Sequence, residues 1–329
     1  YKEAELSTRK AIELKPNFAE AHNNLGSLLN AIGKLEEAEL SVRKAIELKP
    51  NLAEAYSILG SICRYLGKSQ EHKTSLIKVI ELKPSWKAYF LYASFFFENK
   101  DFDSAMENLG KARKLVDKQW LVTIKSSVAI TQSEKKKLIN LNKLSDAEKA
   151  KKLFNKNLDR LILNREVEDT LISHLYNIKT NKLTNTKDSR YGEGVCSDFR
   201  LFEDNSQIIS KLSTDLTEIC KKELGIKEMF ISDSFFNIFV SGSGQPPHNH
   251  IREQDFNFKL SLMKYSLVYY LDVGDQDSKD PGILNLHDPD EKILPTKGMI
   301  IIIRGNRLHS VSYHGNRERI MVGVNFYGL

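Results

Sequence analysis

The sequence predicts an α+β chain in which an α-solenoid of helical repeats is followed by a β-rich domain with supporting helices. Three observations carry this prediction. A segment of the type AIELKP recurs at a fixed spacing in the first third of the chain. After the repeats, residues that typically begin and end helices occur without a fixed spacing. From Phe230 onward, short apolar runs alternate with turns that contain Gly, Pro and Asp.

Composition limits the class of protein. A length of 329 residues favours about two domains, and 41% hydrophobic with 28% charged residues is typical of a globular chain. No window approaches the roughly 18 apolar residues of a membrane span, which excludes an integral membrane protein. Three scattered cysteines form neither a disulfide framework nor a metal knuckle, so we expect a reducing, cytoplasmic setting.

The net charge of +6 is concentrated in residues 1–160, which contain 29 Lys and Arg against 20 Asp and Glu. These lysines recur at regular places in the repeated segments, and no aromatic-rich basic motif accompanies them. The pattern therefore favours a solvated helical surface over a nucleic-acid patch.

The repeats begin at Ala11, Ala45 and Val79, and two spacings of 34 residues are typical of the tetratricopeptide repeat (TPR). Leu25-Gly26 and Leu59-Gly60 occupy the motif positions at which two helices approach closely. His72 departs from the motif because it replaces a small alanine, and the last unit is one residue short. The repeats cover about residues 1–118, and because the chain opens inside the second helix of a unit we expect further repeats before it. Such arrays hold a protein or peptide on their concave face.

Residues 119–189 are predicted to form a helical connector. Residues 145–148 read as a capping box that opens a helix, and apolar residues at helical spacing continue to Ile162. A second helix should begin at Ser206 and end at Gly225. Both helices are expected to support a sheet.

The β-rich region predicts a sandwich or barrel, because about seven short strands are separated by turn residues. The predicted strands are residues 230–240, 247–252, 264–272, 282–287, 298–303, 308–313 and 318–327. The sequence does not favour a Rossmann nucleotide-binding fold, since no GxGxxG segment follows a strand and opens a helix.

Three histidines of this region form a candidate metal site. His248 and His250 flank Asn249 on a predicted strand, so their side chains should share a face. His309, just after the apolar strand GMIIIIRG, is the candidate third ligand. Three imidazoles on one side of a metal ion leave coordination positions open for substrate and dioxygen.

Arg319 opens the last predicted strand, ten residues after His309. Because side chains alternate along a strand, Arg319 shares a face with Met321, Gly323 and Asn325. A guanidinium inside a β-barrel needs an anion, and a carboxylate matches its two parallel N–H donors. Arg317 is an alternative carboxylate clamp, although its position before Glu318 is typical of a turn.

The segments PPHNHIRE, NRLHSVSY and RERIMVGVNFYGL together resemble the iron(II)/2-oxoglutarate-dependent oxygenases of the double-stranded β-helix (jelly-roll) fold. That superfamily has HxD/E, a distal His, and an Arg or Lys about ten residues beyond. KYSLVYYLDVGDQ and DPGILNLHDP resemble a subgroup with HxH and a Tyr-Tyr strand. The chain is also similar to TPR-fused oxygenases of marine cyanobacteria. The resemblance covers about residues 190–329.

The resemblance implies Fe(II) as the metal and 2-oxoglutarate as the cosubstrate. His248 and His309 become iron ligands, and Arg319 binds the distal carboxylate of 2-oxoglutarate. The implied reaction couples decarboxylation of 2-oxoglutarate to hydroxylation of a C–H bond. The TPR array then suggests a protein or peptide substrate.

Several assignments stay open. His250 stands where the superfamily has a carboxylate, and Glu253 or Asp255 are alternative third ligands. Three histidines also suit Zn²⁺ with a bound water, and a non-catalytic interaction scaffold is the competing class. Tyr269 or its neighbour Tyr270, and Asn237, are candidate cosubstrate contacts, with core packing as the alternative for either tyrosine.

Overall fold

The computed structural model describes residues 2–141, 160–178, 181–182 and 194–329. The chain divides into two compact units. The helical unit comprises Tyr1–Ile124 and Thr131–Lys135, and the β unit comprises Lys125–Ile130 and Lys136–Leu329. The helix predicted to open at residues 145–148 begins outside the described residues.

The helical unit follows the predicted repeat. Its helices are α1 (Lys2–Leu14), α2 (Ala19–Ala31), α3 (Leu35–Leu48), α4 (Ala53–Tyr65), α5 (Ser69–Leu82), α6 (Trp86–Glu98) and α7 (Phe102–Leu115). Helices α2 and α4 begin 34 residues apart, as do α3 and α5. Helices α6 and α7 begin one residue earlier than that period requires, which agrees with the short last unit.

Glycines set the distance within the helix pairs. A Cβ atom on Gly26 would lie 2.3 Å from Val42 Cγ2, so α2 and α3 meet at a distance that only glycine permits. The matching position in the next pair is looser, because a Cβ atom on Gly60 would lie 3.5 Å from Ser75 Cβ. The buried His72 packs in this second pair and meets Phe95 edge-on, with ring centroids 5.3 Å apart.

The connecting region contains both helices and strands. The elements are a 3₁₀ turn (Lys118–Trp120), α8 (Leu121–Leu141), β1 (Arg160–Asn164), α9 (Asp169–Asn177), β2 (Asn181–Lys182), β3 (Val195–Cys196), a 3₁₀ turn (Leu201–Glu203) and α10 (Gln207–Leu224). The division between the two units runs through α8.

One helix prediction in this region is wrong and the other is confirmed. Residues up to Ile162 were expected to be helical, but Arg160–Asn164 form a strand in which partly buried and exposed residues alternate. Pairing with a neighbouring strand and burial of alternate residues outweighed the local helical spacing. The second helix is α10: the Ser206 hydroxyl accepts from Ile209 N, and Gly225 ends the helix at φ 65°.

The β unit contains two antiparallel sheets. Its remaining elements are β4 (Met229–Phe239), β5 (Ser243–His248), a 3₁₀ segment (Glu253–Lys259), α11 (Leu260–Met263), β6 (Lys264–Asp272), β7 (Pro281–Leu286), β8 (Glu291–Ile293), β9 (Met299–Arg304), β10 (His309–Tyr313) and β11 (Arg319–Gly328). The large sheet has the order β1-β9-β6-β11-β4-β3-β2, and the small sheet has the order β5-β10-β7-β8.

The two faces of the large sheet have different neighbours. Its outer face packs against α9 and α10, whose Leu171 and Leu216 lie in one core with Val322 and other sheet residues. The expected support of the sheet by a helix is thereby confirmed for α10, whereas α9 was not predicted. Its inner face packs against the small sheet, and Met321 belongs to the same core as Val311. Side chains on the inner faces therefore point into the space between the two sheets.

Two strand predictions need correction. The strand expected at residues 247–252 is Ser243–His248, which runs through Pro246 and Pro247. Because β5 is at the edge of its sheet, it tolerates prolines, and the register with β10 shifts between Gln245 and His248, where they lie. The short strand Glu291–Ile293 was not predicted.

Candidate metal centre

The three candidate histidines lie together between the sheets. His248 ends β5 and is the cross-strand partner of His309, which begins β10. The ring centroid of His309 lies 4.4 Å from that of His248 and 5.0 Å from that of His250. Each histidine is buried, and one ring nitrogen of each lies within 4.8 Å of the others. The arrangement offers three imidazoles to one small ion.

Backbone carbonyls orient two of these rings. His248 Nδ1 donates to Pro246 O and His309 Nδ1 donates to Arg307 O, both at 2.9 Å. In a neutral imidazole this leaves the lone pair on Nε2, where a metal can bind. Burial lowers the pKa of His309 to about 4, and nearby His248 acts in the same direction. His309 is therefore neutral at pH 7.

The spacing of the nitrogens suits a transition metal. His250 Nε2 and His309 Nε2 are 3.2 Å apart. Two nitrogens about 2.1 Å from one ion, at an angle of about 90–110°, would be about 3.0–3.4 Å apart. The residues therefore fit a divalent ion such as Fe(II) or Zn²⁺.

His250 reaches this group in a different way from the one predicted. Strand β5 ends at His248, so alternation along a strand does not align the two side chains. His250 instead lies in the following segment, where its backbone N–H donates to Gly305 O at 2.8 Å.

The two alternative third ligands are placed elsewhere. Asp255 is buried, but its Oδ2 contacts Lys264 Nζ at 2.6 Å and its Oδ1 accepts from the Tyr327 hydroxyl. Glu253 is exposed. Among the described residues, the group that includes His248 and His309 contains His250 and neither carboxylate.

Arg319 begins β11 and is 1% exposed. Its Nη1 donates to Gly282 O, whereas Nε and Nη2 have no hydrogen-bond partner in the part of the chain that the structure describes. Its guanidinium carbon lies 4.9 Å from the ring centroid of Tyr270. Burial lowers the pKa of Arg319, and Tyr270 counteracts this effect. Two buried nitrogens with N–H donors are thus available to an acceptor between the sheets.

Gly282 makes room for this guanidinium. A Cβ atom at Gly282 would lie 1.5 Å from Arg319 Nη1, and the residue has φ +81°. Any other residue would therefore be strained and would displace Arg319. In the sequence Gly282 indicated only a turn, and its role depends on a contact with a residue 37 positions away.

The other predicted contacts divide between the two faces. Tyr269 is wrong as a cosubstrate contact, because it lies in the outer core and its hydroxyl donates to Glu166 O. Alternation along β6 places Tyr270 on the inner face instead. Asn237 is buried opposite Met321, and its Nδ2 has no partner among the described residues. Arg317 is 70% exposed and lies 3.5 Å from Asp272.

A further inner-face residue was given no role by the sequence. Asn325 is buried on β11, and its Oδ1 has no partner within the described ranges. Its position six residues after Arg319 places it on the same face, which is the signal that could have identified it.

A second group of possible ligands lies in the helical unit. Glu39, Cys63 and Glu71 lie close together, but Glu39 pairs with Lys68 and both carboxylates contact Arg43. Burial raises the pKa of Cys63. These residues therefore have a structural explanation. None of the helices in the described part of the chain is long and apolar enough to cross a membrane.

Two tetratricopeptide repeat models match the chain, over residues 8–39 and 53–85. The predicted TPR repeats are thereby confirmed. No curated protein matches the chain.

Solved structures resemble parts of the chain. A crystal structure of MamA is 25% identical with a TM-score of 0.37, and the match covers 40% of this chain and 76% of MamA. A thermophilic TPR protein of Thermus thermophilus is 17% identical with a TM-score of 0.36, covering 39% and 71%. A Pseudomonas putida prolyl-4-hydroxylase is 15% identical with a TM-score of 0.39, covering 52% of this chain and 93% of the enzyme.

Proposed function

We propose that the chain is an Fe(II)- and 2-oxoglutarate-dependent dioxygenase of the hydroxylase type, with a β unit of the jelly-roll fold. The single observation that carries the proposal is Arg319. A buried guanidinium with two unpaired nitrogens among the described residues lies on the same face of β11 as Met321, which packs in the inter-sheet core. His309 lies on the same face of β10 as Val311, which packs in that core too. Neither a zinc hydrolase nor a non-catalytic barrel provides a carboxylate that this buried guanidinium would bind.

The charges favour a dianionic cosubstrate. Three neutral imidazoles leave the full +2 charge on a bound ion, and Arg319 adds a further positive charge in a buried space. Burying uncompensated charge is expensive, and 2-oxoglutarate supplies two carboxylates. One carboxylate would be bound by Nε and Nη2 of Arg319, and Asn237 Nδ2 could donate to another oxygen of the same molecule.

When bound, Fe(II) supplies the redox chemistry by which dioxygen oxidises 2-oxoglutarate and a substrate C–H bond. His248, His250 and His309 would hold the ion. Apolar side chains between the sheets, among them Tyr270 and Met321, exclude water from the reacting groups.

The TPR repeats support a role in protein interaction. The proposed substrate is therefore a protein or peptide that the repeats recruit. The second candidate function, a TPR scaffold whose β unit binds zinc, has the three histidines in its favour.

The test compares metal and 2-oxoglutarate binding by calorimetry. Arg319→Met replaces the buried cation with an apolar side chain of similar volume, so the fold should not be destabilised. Loss of one partner of a buried charge pair typically costs about 2–5 kcal/mol. The affinity for 2-oxoglutarate in the presence of Mn(II) should therefore fall about 30-fold to several thousandfold, with metal content unchanged. His309→Ala should abolish stoichiometric metal binding.

Exposed residues provide matched controls. Arg317→Met and His314→Ala remove an arginine and a histidine that pair with Asp272 and Asp280 at the surface, and both should behave as wild type. Equal effects of the two arginine variants, or no binding of 2-oxoglutarate by the metal-loaded wild type, would reject the oxygenase in favour of the scaffold.

A further inference from the structure

A buried ion pair lies beside the segment that carries His250. The side chains of Asp255 and Lys264 have no exposed surface, and their charged atoms are 2.6 Å apart. Asp255 Oδ1 also accepts from the Tyr327 hydroxyl at 2.6 Å. Replacing such a pair by apolar residues is often neutral for stability. Its presence therefore calls for an explanation other than stability.

Hydrogen bonds connect this pair to the backbone on both sides of His250. His250 N donates to Gly305 O and Gly305 N donates to Lys264 O, both at 2.8 Å. Two residues after His250, Arg252 N donates to Asp255 Oδ2 at 2.8 Å. The links form a closed circuit that runs from His250 to Gly305, Lys264, Asp255 and Arg252.

The same segment has an unfavourable backbone. Phe258 and Lys259 adopt φ values of 54° and 59°, the left-handed region that non-glycine residues rarely enter. Such conformations persist where surrounding contacts determine them. Phe258 is buried, and Asp255 lies three residues before it. The burial of Phe258 and the contacts of Asp255 therefore fix the path of the chain in this segment.

We infer that the Asp255–Lys264 pair is a positioning device that holds His250 in place as the third metal ligand. The inference rests on the metal site of the proposed function. Asp255 is not itself a ligand, because Tyr327, Lys264 and Arg252 N occupy its two oxygens. The buried carboxylate nearest to His250 in sequence thus orients a neutral ligand and adds no negative charge to the ion.

The experiment separates the acceptor on residue 255 from the ion pair. Asp255→Asn/Lys264→Met removes both charges but keeps an oxygen that can accept from Arg252 N. Asp255→Leu/Lys264→Met removes the charges and the acceptor. Loss of groups that orient a metal ligand typically reduces metal affinity about 10- to 100-fold. We expect that loss, measured by Co(II) titration, in full in the Leu/Met variant. The Asn/Met variant should show a smaller loss, because its acceptor is held by Tyr327 but no longer by Lys264.

A double-mutant cycle with His250→Ala provides a readout that a merely structural role would not change. In wild type His250→Ala should weaken Co(II) binding strongly, whereas in the Leu/Met background it should add little, because His250 no longer reaches the ion. The visible absorption of bound Co(II) should change in the Leu/Met variant to that of His250→Ala. Equal costs of His250→Ala in both backgrounds, with unchanged Co(II) affinity, would overturn the inference.

A milder variant tests the same inference if the Leu/Met variant does not fold. Tyr327→Phe removes one hydrogen bond to Asp255, and it should lower Co(II) affinity and reduce the cost of His250→Ala in the same direction. No effect on either quantity would count against the inference. Co(II) binding needs no 2-oxoglutarate, so a failed Arg319 test leaves this result standing, while a wild type that binds no Co(II) overturns both proposals.

Discussion

At the scale of single residues, two buried histidines share one electrostatic property. Burial lowers the pKa of both His72 and His309 to about 4, so each is neutral at pH 7. His72 lies in a helical core against Phe95, where a neutral ring is a packing element. His309 lies beside two other imidazoles, where a neutral ring can bind a metal ion. The neighbours of the ring, and not its pKa, decide what each histidine does.

His72 predicts an acid sensitivity of the helical unit. The unfolded chain binds a proton near pH 6.5, but the folded chain does so only near pH 4, so acid favours the unfolded state between these values. The stability of helix α5 should therefore be constant above about pH 6.5 and fall by about 3 kcal/mol as the pH approaches 4. Hydrogen exchange of the α5 amides, corrected for intrinsic rates, measures this change.

His72→Leu is the control, because it keeps an apolar side chain in the core and cannot titrate. Its α5 amides should show a smaller decrease over the same pH interval. Parallel curves for the two chains would mean that His72 does not control the acid response.

At the scale of elements, the helix pairs repeat both packing and surface charge. Glu5, Arg9 and Glu37 form ion pairs that recur 34 residues later as Glu39, Arg43 and Glu71. Exposed pairs of this kind contribute little to stability, about 0–1 kcal/mol each. The close contact of small and apolar residues between paired helices therefore dominates, and the two motif glycines differ in how close that contact is.

This difference predicts opposite effects of one substitution. Gly26→Ala should destabilise the helical unit by about 1–3 kcal/mol, because the new methyl group meets the stiff, buried Val42. Gly60→Ala should be neutral or stabilising by up to about 1 kcal/mol, since the methyl group fits and alanine favours the helix. Urea unfolding followed by circular dichroism measures both changes. Destabilisation of equal size at the two positions would contradict the spacing in the structure.

At the scale of the whole molecule, features that depend on nearby residues could be predicted from the sequence, whereas features that depend on strand pairing could not. The 34-residue period identified the repeats, and Ser206 with Gly225 delimited α10, because these features depend on nearby residues. The helical spacing that continues to Ile162 does not predict β1, because this strand depends on pairing with β9. The histidine cluster was predicted from residue type and spacing, but the path of the chain through His250 depends on Gly305 and Lys264, which lie far away in sequence.

The described strands of both sheets and the clustered site residues lie within residues 160–329, and so do the two main cores of the β unit. A fragment of residues 160–329 should therefore fold and bind Co(II) and 2-oxoglutarate with the affinities of the full chain. Circular dichroism checks folding and calorimetry checks binding, with His309→Ala in the fragment as the negative control. A folded fragment that binds neither ligand would mean that the metal centre needs residues before 160, some of which belong to the β unit itself.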